Sequence, residues 1–172
     1  MMTEKESFIQ LKKDNILRLK VKTNEGKETG EVISIDLEDI ELPLRYQNLV
    51  EQDKKNRKWI RDEFIIIDKR QDVKGKKIMS KNEEDKIKAL NTFFNKEVEI
   101  YNLFLGENGV QKLLNGRKLG WTSLDEIDEI IEKQIFPYLN TNMENISKKI
   151  QEKYSYSVNR SKEVLEWNVQ NI

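Results

Sequence analysis

The stretch from Ser80 to Gly109 constrains this chain most, because it has the apolar spacing of a long, buried helix. Apolar residues recur there at steps of three and four, which places their side chains on one face of an α-helix. These residues are Ile87, Leu90, Phe94, Val98, Tyr101 and Leu105, and Phe93, Ile100, Leu103 and Phe104 widen the stripe in the second half. A helix that is apolar over most of its circumference is usually buried on most sides. We therefore predict a central helix on which the rest of the chain packs.

Both ends of this helix carry recognisable signals. Ser80 and Glu83 have the spacing of a capping box, in which the serine oxygen accepts a backbone N–H and the carboxylate binds another. Glu84 and Asp85 add negative charge near the positive end of the helix dipole. The residues from Gly106 to Gly109 mark the end of the helix, because glycine adopts a positive φ at little cost.

Alternating apolar and polar residues predict a β-hairpin ahead of the helices. Leu17, Leu19 and Val21 alternate with basic residues, and Ile33, Ile35 and Leu37 form the second apolar set. A polar connection with two glycines joins the two stretches. Because an isolated two-stranded sheet is marginal in water, we expect the core to cover the hairpin or another chain to extend it.

Pro43 suits the first turn of a helix, and we predict one long helix from there to about Lys69. Its apolar residues gather at the two ends, so the charged middle from Glu51 to Lys58 is expected to project into solvent or to bend. A strand over Phe64 to Ile67 is an alternative, since a short apolar run fits either structure.

The remainder of the chain predicts shorter helices. Val110, Leu113 and Leu114 suit a helical turn, and Thr122 or Ser123 is expected to cap the next helix. The predicted buried face of that helix is Leu124, Ile127, Ile131, Ile135 and Tyr138, with Pro137 bending or ending it. A further helix is expected to start at Asn140 or Thr141, with Met143, Ile146, Ile150 and Tyr154 on its apolar face.

These elements predict an α+β protein that is predominantly α-helical, with an N-terminal β-hairpin packed on a bundle of four to five helices. Its 172 residues suffice for one domain with a core. We assign residues 1–14 to a flexible arm and 15–154 to a single globular domain, with the hairpin at 15–37 and the helices at 43–154. Residues 155–172 follow a Tyr-Ser-Tyr-Ser linker and are expected to bind another chain, because they have too few apolar residues to fold alone. The predicted contact residues are Leu165, Trp167, Val169 and Ile172; the alternative is an ordinary last helix of the core.

Composition excludes several classes of function. The 31 basic and 31 acidic residues balance, so no net charge attracts nucleic acid or an anionic membrane. The chain has no histidine and no cysteine, which removes disulfides, most zinc sites and the Ser-His-Asp type of hydrolase. No run approaches the roughly 20 apolar residues of a membrane-spanning helix. We expect a soluble protein without enzymatic activity, metal or cofactor.

Three groups of residues resemble chemical signals, and each has a structural explanation that we favour. Asp125, Glu126, Asp128 and Glu129 resemble a metal cluster, but carboxylates also favour the first turns of a helix. The glycines at 106 and 109 lack the Lys-Ser/Thr of a phosphate-binding loop, so they are expected to end a helix. The basic residues around Trp59 resemble a nucleic-acid patch, but neighbouring acidic residues offer helical ion pairs instead. The basic residues are Lys54, Lys55, Arg57, Lys58 and Arg61, and the acidic ones are Glu51, Asp53, Asp62 and Glu63.

A pattern spread over roughly Glu31 to Tyr154 resembles the tail assembly chaperones of phages and phage-like particles of Gram-positive bacteria. It begins with Ile33-Ser34-Ile35-Asp36 and Asp39-Ile40-Glu41-Leu42-Pro43-Leu44-Arg45-Tyr46, and continues with Asn82-Glu83-Glu84 before Phe93-Phe94. It ends with Phe104-Leu105-Gly106-Glu107-Asn108-Gly109, Lys112-Leu113-Leu114, Gly116-Arg117 and Phe136-Pro137.

The resemblance implies a non-enzymatic, mostly helical protein of the bacterial host cytoplasm. Such a protein binds the tape-measure protein and keeps it soluble while tail-tube subunits assemble around it. We also expect self-association, through the hairpin edge or the C-terminal segment, and neither a membrane nor nucleic acid as a partner. The alternative function is a structural component of the particle, such as a tail or head-completion protein.

Overall fold

The computed structural model describes residues 15–23, 25–75 and 78–152. An antiparallel hairpin of β1 (Ile16–Lys22) and β2 (Glu28–Asp36) comes first. The helices that follow are α1 (Leu42–Asp68), α2 (Lys81–Leu105), α3 (Gly109–Leu114) and α4 (Trp121–Ile130). A π turn (Ile131–Ile135) joins α4 to α5 (residues 136–152). The predicted α+β, mostly helical fold with an N-terminal hairpin is confirmed.

The hairpin places its apolar residues on one face. Leu17 lies opposite Ile35 and Leu19 opposite Ile33, so the four side chains form two cross-strand pairs that pack on the core. Between the pairs made by Lys20 and Lys22, β2 has two more residues than β1. Gly30 lies in this irregular stretch with a φ of +84°, which a residue with a side chain rarely adopts.

Helix α1 is continuous, and the residues from Phe64 to Ile67 belong to it. The alternative of a strand there is therefore wrong. The buried residues of α1 lie near its two ends, as the sequence predicts: Leu42, Leu49, Ile60 and Ile67.

Helix α2 is the predicted central helix, and its capping box is present. Glu83 donates its backbone N–H to Ser80 Oγ at 3.2 Å, and Ser80 donates its own to Glu83 Oε2 at 2.6 Å. The helix ends at Gly106, which has a φ of +93°.

The buried face of α2 differs from the predicted stripe. Ile87 and Leu103 are exposed, and Leu90, Phe94 and Val98 are half-buried. The buried residues instead follow the neighbouring row: Ala89, Phe93, Glu97, Tyr101, Phe104 and Leu105. Because this row contains a glutamate, the spacing of apolar residues does not reveal it. The stripe predicted from that spacing is rotated by about one residue from the buried face.

Helix α4 begins at Trp121, with Gly120 rather than Thr122 or Ser123 as its N-cap. Ser123 Oγ accepts the backbone N–H of Gly120 at 2.9 Å. Ser123, the third residue of the helix, therefore binds the free backbone N–H of the N-cap residue. The predicted cap residues are wrong.

The helix neither ends at Pro137 nor restarts at Asn140 or Thr141. Phe136 donates its N–H to Ile131 O, five residues earlier, which widens the turn just before the proline. Proline lacks an N–H and its ring crowds the preceding turn, so a π turn lets the helix continue through Pro137. A π turn also advances less than 100° per residue. Leu139 is therefore buried, and Tyr138, predicted for the core, is 50% exposed.

The hairpin, α1, α2, α3 and the α4–α5 helix enclose one core. Its fully buried side chains include Phe93, Tyr101, Leu42, Leu124, Ile135 and Leu139. In the part of the chain that the structure describes, no helix is long and apolar enough to span a membrane.

Candidate protein-binding surface

The predicted contact residues Leu165, Trp167, Val169 and Ile172 lie outside the described residues, as does the predicted arm at 1–14. Met143, Ile146 and Ile150, predicted for the apolar face of a helix, do lie on α5. Met143 and Ile150 are exposed and Ile146 is half-buried, so the core does not cover this face. Exposed apolar side chains that lie together mark a candidate contact surface.

Ile40, Ile146 and Ile150 line one groove, which we call the α5 groove, between α5 and the link from β2 to α1. Its volume is about 810 Å³, and Ile40 is 73% exposed. The polar side chains along it include Asn15, Glu38, Lys148, Lys149 and Glu152. A lining that combines isoleucines with charged and amide side chains is compatible with a protein-binding surface.

Hydrogen bonds hold the two walls of the α5 groove together. The side-chain amide of Asn142 on α5 donates to the carbonyl oxygen of Leu37. Asn15 accepts the backbone N–H of Leu37 at 2.9 Å and donates its side-chain amide to Glu38 Oε1 at 2.8 Å. The start of β1, the end of β2 and α5 are therefore linked on this side of the molecule.

Asp39 fixes the turn that carries Ile40. Its Oδ1 accepts the backbone N–H of Glu41 at 2.9 Å, and its Oδ2 forms an ion pair with Arg45 at 2.6 Å. The hydrogen bond from Glu41, assisted by Arg45, lowers the pKa of Asp39. Because the turn is closed on both sides of Ile40, this side chain is held in the groove and away from the core.

Three aromatic residues pack α5 against α1 and α2. Tyr46 on α1 lies 5.6 Å from Phe104 on α2 and 5.4 Å from Phe136 on α5, measured between ring centroids. Tilted rings at these distances attract each other beyond the burial of their surface. The cluster fixes where α5 leaves the bundle and so positions the groove.

The outer edge of β1 is a second candidate surface. The sheet in the described part of the chain has two strands, so no further strand pairs with β1 there. A groove of about 440 Å³ separates β1 from α4, with Leu19 and Ile130 on opposite sides. Extension of the hairpin by another chain, one of the two expected ways of stabilising it, stays a prediction.

The charged middle of α1 projects into solvent only in part: Glu51, Lys54, Lys55 and Lys58 are exposed, as predicted, whereas Asp53, Asn56 and Arg57 are half-buried. Its polar residues form a network with α2 and α4. Asn56 donates to Glu97 Oε1 at 2.8 Å, and Arg57 donates to Asp53 at 2.6 Å and to Asp128 at 3.0 Å. Tyr101 donates its hydroxyl to Asp128 as well. One sequence feature could have predicted this network. Glu97 lies four residues from both Phe93 and Tyr101, so a helix places it on the same buried face.

Burial governs the ionisation of this network. Burial raises the pKa of Tyr101, whose hydroxyl also gives its hydrogen bond to Asp128, and it raises the pKa of Asp128. Burial opposes the charge of Arg57, but the hydrogen bond and charge of Asp53, with the charge of Asp128, raise its pKa. Glu97 has no exposed surface, so no substrate in solvent reaches it.

Three of the four acidic residues of α4 have individual partners. Because α4 begins at Trp121, they lie beyond its first turn, and the predicted dipole explanation is wrong. Asp128 belongs to the polar network, Glu126 pairs with Arg117 at 3.3 Å, and Glu129 pairs with Lys133. Among the described residues, no group of side chains is arranged to hold a metal ion.

Four of the five basic residues around Trp59 line one surface groove together with Glu51: Lys54, Lys55, Lys58 and Arg61. Trp59 is not part of that lining. Arg57 turns into the polar network, where its pair with Asp53 is one of the predicted helical ion pairs. Lys96 Nζ covers the Trp59 ring at 3.9 Å from the centroid. Such a cation over the ring occupies the face that a nucleobase needs.

The glycines between α2 and α3 have conformational and packing roles. Gly106 ends α2 with a positive φ and donates its N–H to Asn102 O at 2.9 Å. A Cβ at Gly109 would lie 2.5 Å from Leu105 Cβ, so only glycine fits there. This arrangement agrees with the predicted helix end.

Comparisons with known proteins identified no relative of this chain. No family model, curated protein or solved structure matches the chain.

Proposed function

We propose that this protein is a non-enzymatic tail assembly chaperone that binds a tape-measure protein in the cytoplasm of a bacterial host, where tail-tube subunits assemble. The resemblance in sequence is the first support. Tyr46, Phe104 and Phe136 belong to three separate parts of the resembling pattern and lie in one aromatic cluster. Residues that are far apart in the pattern thus belong to one packing unit.

The observation that carries the proposal is the α5 groove. A helical client with an apolar stripe fits a groove lined by Ile40, Ile146 and Ile150. Lys148 and Lys149, which also line it, suit the acidic flank of such a helix. A chaperone needs accessible apolar surface of this kind before its client arrives.

Co-expression with a candidate tape-measure protein, chosen as a very long helical protein from the same genome, tests the proposal. The wild-type protein is expected to co-purify with it, and Ile150→Asp is expected to reduce the yield of the complex at least tenfold. The matched control is Ile66→Asp, because Ile66 lies on α1 and is 50% exposed, against 49% for Ile150. Equal recovery with both variants, or no complex with the wild type, contradicts the proposal.

The alternative of a structural component predicts a different fate. A chaperone leaves before the particle is complete, whereas a tail or head-completion protein stays. Mass spectrometry of purified particles should therefore find the tape measure and little of this protein. Copies in stoichiometric amounts favour the structural role.

A further inference from the structure

Glu97 is a glutamate in the protein interior, where an ionised side chain is energetically unfavourable. It lies on α2 at the interface with α1 and has no exposed surface. Its Oε1 accepts the side-chain amide of Asn56, but its Oε2 is buried and no donor in the described structure reaches it. An ionised carboxylate in the interior, with one oxygen that accepts no hydrogen bond, loses its hydration without compensation.

The charged groups around Glu97 make ionisation more costly still. From α1, Asp53 and Arg57 face it; from α2, Tyr101 follows one turn later; and α4 contributes Asp128 to the same network. Arg57 is the one cation of this network, and it is already bonded to both Asp53 and Asp128. A third negative charge would therefore have little compensation.

We propose that Glu97 keeps a proton in the folded protein and donates it to the carboxylate of Asp53, so that a shared proton joins α1 to α2 and rising pH loosens this junction. The proton gives Oε2 the hydrogen bond that it lacks and removes the repulsion between the two carboxylates. Two carboxyl groups that share a site commonly hold one proton between them.

The ionisation of Glu97 agrees with this arrangement. Burial, reinforced by Asp53, raises the pKa of Glu97 from its usual value of 4.5 to about 7. The unfolded chain releases this proton near pH 4.5, whereas the folded protein keeps it until about pH 7. Stability from Glu97 is therefore fully present below pH 4.5 and is lost as the pH rises towards 7. Lysine-paired and capping carboxylates such as Asp85 and Glu83 have lowered pKa values and act in the opposite direction, at lower pH.

Comparing the wild type with Glu97→Gln between pH 5 and pH 8 tests the proposal. In the variant the amide oxygen still accepts from Asn56, and the amide N–H donates to Asp53 at every pH. The unfolding constant of the wild type, measured by denaturant titration, is expected to rise relative to that of the variant by up to about a hundredfold over this range. Because Asp128 is the same in both proteins, its own titration cancels. A ratio that does not change with pH overturns the proposal.

Two further variants separate the shared proton from burial alone. Glu99→Gln changes an exposed glutamate on the same helix and should leave the pH dependence as in the wild type. Asp53→Asn removes the facing charge and should move the loss of stability to lower pH. An Asp53→Asn protein with an unmoved pH profile contradicts the pairing with Asp53.

Carbon-13 NMR of the wild-type protein gives a direct reading that needs no variant to fold. The side-chain carboxyl carbon of Glu97 should titrate more than one pH unit above the exposed glutamates. A midpoint among the exposed glutamates would overturn the proposal even if every variant misfolds.

Discussion

At the scale of single residues, the neighbours Phe93 and Phe94 test where the core lies. Phe93 has no exposed surface, whereas Phe94 is half-buried between Phe93 and Trp121. Truncating a fully buried phenylalanine typically costs about 3–5 kcal/mol. We expect Phe93→Ala to lose stability of that order and Phe94→Ala to lose clearly less, as measured by urea unfolding. Equal losses would place the buried face on the predicted stripe after all.

Tyr101 tests the polar network independently of Glu97. Its ring is 2% exposed and its hydroxyl donates to the half-buried Asp128. Tyr101→Phe keeps the ring but leaves a carboxylate oxygen short of a donor, a loss that typically costs about 1–3 kcal/mol. Tyr138→Phe is the control, because Tyr138 is half-exposed. If both substitutions change the unfolding midpoint equally, the hydroxyl of Tyr101 contributes nothing to the fold.

At the scale of elements, the π turn decides which residue of α5 enters the core. Leu139 is 2% exposed and Tyr138 is 50% exposed. Leu139→Ala should therefore destabilise the protein by about 2–5 kcal/mol, whereas Tyr138→Ala should cost less than about 1 kcal/mol. Thermal unfolding followed by circular dichroism compares the two. A larger loss for Tyr138→Ala would indicate a regular α-helix through Pro137.

The elements that could be predicted are those whose sequence signals act between residues close together in the chain. The hairpin follows from alternation, and the start of α2 follows from Ser80 and Glu83, because each signal acts between near neighbours. The buried row of α2 and the position of Leu139 depend on tertiary contacts instead. A glutamate inside a buried row and a π turn before a proline both break the regular period on which such predictions rest.

The candidate site was predictable only in part, for a related reason. Apolar residues at 146 and 150 were identified from their helical spacing, but spacing does not tell whether a face is covered. Ile40 belongs to the resembling pattern, but the sequence does not indicate a contact surface there, since exposed apolar residues are common on proteins. Only the structure shows that Ile40 lies beside α5, because the bond from Asn142 to Leu37 brings the turn and α5 together.

At the scale of the whole molecule, removal of the residues after Tyr154 tests whether they belong to the fold. We expect the truncated protein to stay folded with a nearly unchanged melting temperature and to lose self-association, as measured by light scattering, or binding to a tape-measure fragment. Trp167→Ala is the sharper version, because truncating an aromatic anchor can cost about 2 kcal/mol or more of binding. A truncated protein that aggregates or melts several degrees lower would show that these residues cover the core.

The bond from Asn142 to Leu37 joins residues 105 positions apart, and this separation sets an order in time during synthesis. At about 5–20 residues per second, a ribosome needs roughly 5–20 s to pass from one residue to the other. A hairpin forms within about 1–10 μs. Because a two-stranded hairpin is marginal on its own in water, it forms and opens repeatedly, without its full set of contacts, during most of this interval. In the cell, the apolar face of this hairpin is therefore exposed on the nascent chain before Asn142 of α5 bonds to the residue that follows β2.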